Sequence, residues 1–115
     1  MAISEFEIKR CERELEKFLE ANRPPAHIRK ELDLGYKIEN QSITIFEMRP
    51  DWRDPSKEMI NPIAKTTYVK SRKVWRIFWM RQDLNWHGYE PNPEVDLLED
   101  FLRIVKEDKY ACFFG

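Results

Sequence analysis

The sequence is poor in glycine and cysteine and carries almost no net charge. Its 115 residues include only 3 glycines and 2 cysteines, and the formal net charge is −1 at pH 7. Two cysteines, Cys11 and Cys112, are too few for the disulfide framework of a small secreted domain. So few glycines leave no glycine-rich phosphate loop. A balanced charge gives the molecule as a whole no attraction to nucleic acid.

Long apolar runs are also missing. No stretch approaches the roughly 20 apolar residues that a membrane-spanning helix needs, and the start of the sequence lacks the basic and apolar regions of a signal peptide. We therefore expect a cytoplasmic protein with no membrane partner. Hydrophobic residues still make up 42% of the chain and aromatic residues 13%, which excludes a disordered protein. A chain of this length predicts a single domain, residues 1–115, around one core.

The order of the patterns predicts an α+β fold with helices near both ends of the chain. Ser4 and Glu7 have the spacing of a capping box at the start of an N-terminal helix. Pro25 suits the first turn of a short second helix, which Gly35 would end. The C-terminal helix carries an apolar stripe that includes Leu98, and we expect this stripe to pack on the sheet. The predicted helices cover residues 5–21, 26–34 and 94–107.

Between these helices, alternating apolar and polar residues predict an antiparallel sheet of four or five strands. The predicted strands are residues 36–38, 43–49, 63–70 and 74–81, with 84–89 as a short fifth strand or an extended loop. Glu39–Ser42 has the composition of a hairpin turn, and the three prolines of residues 50–62 predict one long loop. Trp75, Ile77 and Trp79 share the face of their strand that we expect to point into the core.

The near-zero net charge hides an uneven distribution. Residues 63–82 carry six cations and no acid, whereas residues 83–115 carry eight acids and three cations. Cations neutralise phosphates and aromatic rings stack on bases, so this basic and aromatic segment is typical of a nucleic-acid surface. We expect Arg72 and Lys73, at the turn, to have no internal partner. The alternative is that the acidic C-terminal helix neutralises the cations of this segment.

The basic segment leads to the hypothesis of a non-catalytic binding protein. Its partner would be nucleic acid, another phosphate-bearing polymer or an acidic protein. In this hypothesis the cations make charge contacts, and the aromatic side chains stack on the partner. The residues expected at the surface are Lys70, Arg72, Lys73, Arg76, Arg81, Trp86, His87 and Tyr89.

A carboxylate and an imidazole lie close together in the segment that follows. Asp83 and His87 have the same strand parity, and a carboxylate that orients a histidine is the usual support of a general base. One interpretation is therefore a base or a single metal ligand at His87. The other is that Asp83 and Asn85 hold a turn while His87 makes a hydrogen bond in a half-buried position.

Two further hypotheses remain open. A small metal-dependent, nuclease-like hydrolase requires at least three of its candidate residues to meet in one concave pocket. A homodimer would use the apolar C-terminal tail and an exposed sheet edge. Both cysteines read as core thiols, and no pattern calls for a cofactor or a metal site. The candidate residues of the hydrolase are Glu47, Asp51, Lys65, Asp83 and His87.

Several segments are distinctive when they are taken together. They are Phe46-Glu47-Met48-Arg49-Pro50, Tyr68-Val69-Lys70-Ser71-Arg72, the aromatic stretch from Trp75 to Pro91, and Cys112-Phe113-Phe114-Gly115. Together they resemble a family of short bacterial proteins known only as a domain of unknown function. The resemblance implies a stand-alone bacterial cytoplasmic protein, and it implies no activity, cofactor or site.

Overall fold

A computed structural model describes residues 4–114 of the chain. Its elements are α1 (Glu5–Asn22), β1 (Asp33–Glu39), β2 (Ser42–Pro50), β3 (Glu58–Val69), β4 (Val74–Met80), β5 (Trp86–Gly88), β6 (Glu94–Val95) and α2 (Leu98–Glu107). The strands form one antiparallel sheet in chain order from β1 to β5, and β6 pairs with β4. The predicted α+β fold is confirmed, with five strands and a short sixth.

The N-terminal helix begins where the sequence predicts. The Ser4 hydroxyl accepts a hydrogen bond from the Glu7 amide at 3.3 Å, which is one half of a capping box. Cys11, Leu15 and Phe18 lie on the buried side of α1, so the prediction of a core thiol at Cys11 is confirmed.

The predicted second helix over residues 26–34 is wrong. Residues 26–31 form turns, with the Ile28 amide donating to the Pro25 carbonyl at 2.8 Å. Asp33 already belongs to β1, where it lies opposite Met48 of β2. The Arg23 guanidinium also pairs with the Asp33 carboxylate at 2.7 Å. Strand pairing takes the end of this segment, and the hydrogen bonds of the rest mainly join residues three positions apart, as in turns rather than in an α-helix.

The long loop predicted over residues 50–62 is also wrong, because residues 58–62 belong to β3. They pair with residues 46–50 of β2, and the loop shrinks to residues 51–57. The register shifts between Ile45, opposite Ala64, and Phe46, opposite Pro62. Ile63 is therefore the extra residue of a bulge, which bends the sheet at this point.

The C-terminal helix starts at Leu98 rather than at Glu94. Glu94 and Val95 are extended and lie opposite Arg76 and Trp75 of β4. Between β5 and β6 the chain leaves the sheet only briefly, because the Tyr89 amide still donates to the Ile77 carbonyl at 2.9 Å.

The core lies between the two helices and one face of the sheet, which we call the helix side. Trp75 and Ile77 are buried there together with Leu15 and Phe101, and Trp79 packs against the same core. This confirms the face assignment made from the alternation in β4. After α2 the tail folds back, and the Phe113 ring lies 5.0 Å from the Tyr89 ring.

Candidate nucleic-acid interface

The second face of the sheet is the candidate site, and we call it the open face. Strand alternation directs Arg76, Phe78 and Met80 away from the buried Trp75 and Ile77. Within residues 4–114, the buried side chains of both helices belong to the core on the helix side. On the open face Arg76 is exposed and Phe78 and Met80 are partly exposed, so these side chains are available to a partner.

The register brings residues of four strands into rows across the open face. Lys65 of β3 lies between Thr44 of β2 and Phe78 of β4, and Phe78 in turn lies opposite Gly88 of β5. In the next row, Trp86 lies opposite Met80. Two hairpins and the β4–β5 pairing thus place a lysine and two aromatic rings side by side.

Cations and aromatic rings alternate in these rows. The Lys65 ammonium lies 5.9 Å from the centre of the Phe78 ring and 5.8 Å from that of Trp86. The Arg76 guanidinium carbon lies 5.2 Å from the Phe78 centre on the same face. These distances are within the range of cation–π attraction. We call Lys65, Arg76, Phe78 and Trp86 the cation–aromatic cluster.

The two cations of the cluster are not neutralised by carboxylates. Within residues 4–114, Lys65 and Arg76 form no ion pair. The two carboxylates at the ends of the row that contains Arg76, those of Glu39 and Glu94, are paired with other cations. Glu39 pairs with Lys37 at 3.0 Å and Glu94 with Arg72 at 2.6 Å. Lys65 and Arg76 therefore keep their charge available to an anion.

Open space lies beside the cluster, over Gly88. A Cβ atom built on Gly88 would have no heavy atom within 4 Å, so the space over this residue is empty. Phe78 lies opposite Gly88, and Trp86 precedes it by two residues on the same face. This open space therefore lies beside two aromatic residues, where a flat ring has room.

The predicted binding residues divide between the two faces. Trp86 and Arg76 lie on the open face, and Lys70 and Lys73 are exposed at the β3–β4 turn. Arg81 lies on the other side, with its guanidinium carbon 5.5 Å from the Trp79 ring. Lys73 has no ion pair among the described residues.

Two of the predicted residues have a different environment from the one expected. Tyr89 is only 2% exposed and packs in the core against Phe113, so it cannot stack on a partner. Arg72 has an internal partner after all, because Glu94 of β6 reaches it at 2.6 Å. Both differences arise from the chain after β5, which turns inward at residue 89 and returns to β4 at residue 94.

His87 lies on the helix side, opposite Trp79. Its Nε2 is 2.8 Å from the Asp83 carboxylate, which also accepts a hydrogen bond from the Asn85 amide at 2.9 Å. The bond from Asn85, followed by that from His87, lowers the pKa of Asp83. The turn held by Asp83 and the hydrogen bond of a half-buried His87 are thus present, and the same Asp83–His87 contact is the one a general base requires, so a base at His87 stays a prediction.

The candidate residues of the hydrolase do not converge. Lys65 lies on the open face and His87 on the helix side. Glu47 is in β2, which lies three strand spacings, or about 14 Å, from β5, the strand of His87. The Asp51 carboxylate accepts a hydrogen bond from the Arg53 amide within its own loop. Residues 4–114 contain no group of three acidic, histidine or cysteine side chains able to hold a metal ion.

The acidic helix does not shield the open face. Glu99 of α2 pairs with Arg10 of α1 at 3.4 Å, and Asp100 pairs with Arg103 of its own helix at 3.2 Å. These contacts lie within the helical layer, behind the sheet. Within the described residues, the basic segment forms one ion pair, from Arg72 to Glu94. Glu94 was assigned to the predicted helix and lies in β6, so the expected neutralisation occurs at this one pair.

Lys65 and Phe78 are the residues that sequence reasoning left out of the binding surface. The signal that finds them is the alternation itself, since Arg76 and Phe78 share a face of β4. Pairing the two arms of the 63–81 hairpin then places Lys65 opposite Phe78. Conversely, Trp86 and His87 are adjacent in β5 and so must point to opposite faces.

Comparison with known proteins identifies the family of this chain. Residues 3–115 match the family described as Domain of unknown function (DUF3024). The chain belongs to that family. No curated protein and no solved structure matches it. Neither α1 nor α2, the helices of residues 4–114, is apolar enough over a sufficient length to cross a membrane.

Proposed function

We propose that this member of the DUF3024 family binds single-stranded nucleic acid on its open face, without catalysis. The observation that carries the proposal is the cation–aromatic cluster, in which Lys65 lies within 6 Å of both the Phe78 and the Trp86 ring centres. Unpaired bases offer flat faces to such rings, and the phosphates between them are attracted to the cations.

The geometry favours a single strand over a duplex. In a single strand the bases can turn towards the sheet, stack on Trp86 and Phe78 and occupy the open space over Gly88. The paired bases of a duplex expose only their edges in the grooves, and the two rings would have nothing to stack on. The exposed Lys70 and Lys73, at the β3–β4 turn, extend the positive surface beyond Arg76.

The test measures the affinity of a labelled oligothymidylate of about ten nucleotides by fluorescence anisotropy at low salt. Because stacking of one base on an aromatic ring contributes about 1–3 kcal/mol, Trp86→Ala should weaken binding by roughly 5- to 150-fold. Trp52→Ala is the matched control, since Trp52 is 82% exposed in the loop after β2 and lies outside the cluster. It should leave the affinity unchanged.

The charge contacts have their own signature. Each phosphate contact with a single strand contributes about 0.7 to the slope of log affinity against log salt, so Lys65→Gln should lower that slope by about this amount. Absence of binding at low salt, or equal losses in Trp52→Ala and Trp86→Ala, would refute the proposal. If polyglutamate displaced the oligonucleotide at equal charge, the partner would be an acidic protein instead.

A further inference from the structure

A second positive site lies at the other end of the sheet, where the 24–32 segment approaches the 51–57 loop. It is a cavity of about 200 Å³, which we call the basic pocket. Its walls carry four cations and one carboxylate, on Arg29, Lys30, Arg49, Lys57 and Glu58.

Two of these cations are fixed and two are unpaired. The Arg29 Nε donates to the Pro24 carbonyl at 2.9 Å, and the Arg49 guanidinium is held by Glu47 at 3.2 Å. Lys30 and Lys57 form no ion pair within residues 4–114. Like charges gathered around one cavity repel each other, and the two carboxylates of Glu47 and Glu58 do not balance the four cations. The basic pocket is therefore suited to an anion.

The basic pocket adjoins the open face through Met48. This side chain lines the pocket, and its Cε also lies over Gly35, 3.2 Å from the position of an added Cβ, beside the Phe46 ring. Along β2, Met48 is four residues from Thr44, which lies opposite Lys65. At about 3.3 Å per residue the basic pocket is thus about 13 Å from the cation–aromatic cluster.

We propose that the basic pocket binds the terminal phosphate of the strand that crosses the open face. This inference rests on the proposed function. A terminal phosphate monoester carries nearly two negative charges at pH 7, whereas an internal diester carries one. A pocket whose walls carry an excess of cations matches the doubly charged group better. A span of about 13 Å corresponds to about four nucleotides at the stacked rise of ~3.4 Å.

The test compares oligothymidylates of equal length that end in a 5′-phosphate, a 3′-phosphate or hydroxyls only. One phosphorylated end should bind about tenfold more tightly than the hydroxyl-ended strand, since charge-assisted hydrogen bonds are the strong ones. Lys30→Gln combined with Lys57→Gln should abolish this advantage and leave hydroxyl-ended affinity within about twofold. The matched control is Lys9→Gln with Lys106→Gln, which removes the same charge from the helices.

The outcomes separate the two proposals. If all three strands bind equally, the basic pocket takes no terminal phosphate and the proposed function stands. If no strand binds, the proposed function fails, and inorganic phosphate becomes the probe, with the Ser56 and Lys57 amides followed by NMR. A response of these amides to phosphate alone would mean a free-anion site, and no response would mean no anion site. Either result would overturn the inference.

Discussion

Gly35, on the open face, has no room for a side chain, and the effect of Gly35→Ala on stability can be predicted from its neighbours. An added Cβ would lie 2.8 and 3.0 Å from two atoms of the Phe46 ring and 3.2 Å from the Met48 Cε. Contacts this short cannot persist, so Gly35→Ala must displace the Phe46 ring. The glycine is therefore required by the close approach of a side chain from the neighbouring strand.

The magnitude follows from two opposing effects. Overpacking costs about 1–3 kcal/mol, whereas replacing glycine by alanine inside a strand contributes about 0.5–1 kcal/mol of stability. We expect Gly35→Ala to lower the free energy of unfolding by about 1–2 kcal/mol. In a Phe46→Ala background the clash with the ring disappears, and the same substitution should raise the free energy of unfolding by up to about 1 kcal/mol.

Urea denaturation of the four proteins of this double-mutant cycle measures the coupling, which we expect to be about 2 kcal/mol. Gly88→Ala is the matched control, because Gly88 is also a strand glycine of the open face and has nothing within 4 Å of its Cβ position. It should be neutral or stabilising. If Gly35→Ala has the same effect with and without the Phe46 ring, the reasoning is refuted.

Two further predictions concern the edges of the core. Burial, followed by the hydrogen bond to Glu16, raises the pKa of Tyr36 to about 12, so unfolding releases a proton once the pH exceeds the ordinary value near 10. The free energy of unfolding should therefore fall as the pH rises from about 10 to about 12. In Tyr36→Phe the fall should be smaller in urea titrations, and the rest comes from Cys11 and Tyr89, whose pKa values burial also raises. Equal pH profiles of the two proteins would contradict this. Asp108 has φ 40° and accepts the Phe113 and Phe114 amides at 3.0 and 2.9 Å. Asparagine keeps one acceptor oxygen and tolerates this backbone conformation. In urea denaturation Asp108→Asn should therefore lower the free energy of unfolding less than Asp108→Ala does, with a difference of about 1 kcal/mol. Equal losses in the two variants would exclude a capping role of Asp108.

Local signals predict much of this fold. The capping residues of α1, the turn at Asn40 with its φ of 52° and the alternation in β4 all depend on a few neighbouring residues. The segment between Pro25 and Gly35 carries helix signals too, and they fail because Asp33 pairs with Met48, fifteen positions away. Strand pairing of this kind cannot be seen in a short window of sequence.

Pro62 shows the same limit in β3. Three prolines in thirteen residues indicate a loop, yet the structure places Pro62 inside a strand. It lies beside the register shift and beyond Ala64, which makes the last pair with β4. Proline is tolerated at bulges and where a strand has no second neighbour, so the strand continues through it.

The candidate site was predicted in part. The basic segment and Trp86 follow from composition, and strand parity would have separated Trp86 from His87. The burial of Tyr89 could not be predicted, because it depends on the tail that returns after α2 to place Phe113 against it. The Arg72–Glu94 ion pair likewise requires the pairing of β6 with β4.

The helical layer joins elements that are far apart in the chain, and this has a consequence for synthesis. Arg10 of α1 contacts Glu99 of α2, and Phe113 completes the packing at Tyr89. A ribosome releases α1 and the first four strands well before these partners exist. Until then the apolar helix side of the sheet has only half its cover, and such surfaces are prone to aggregate. The final packing of this chain therefore waits for its last helix and tail.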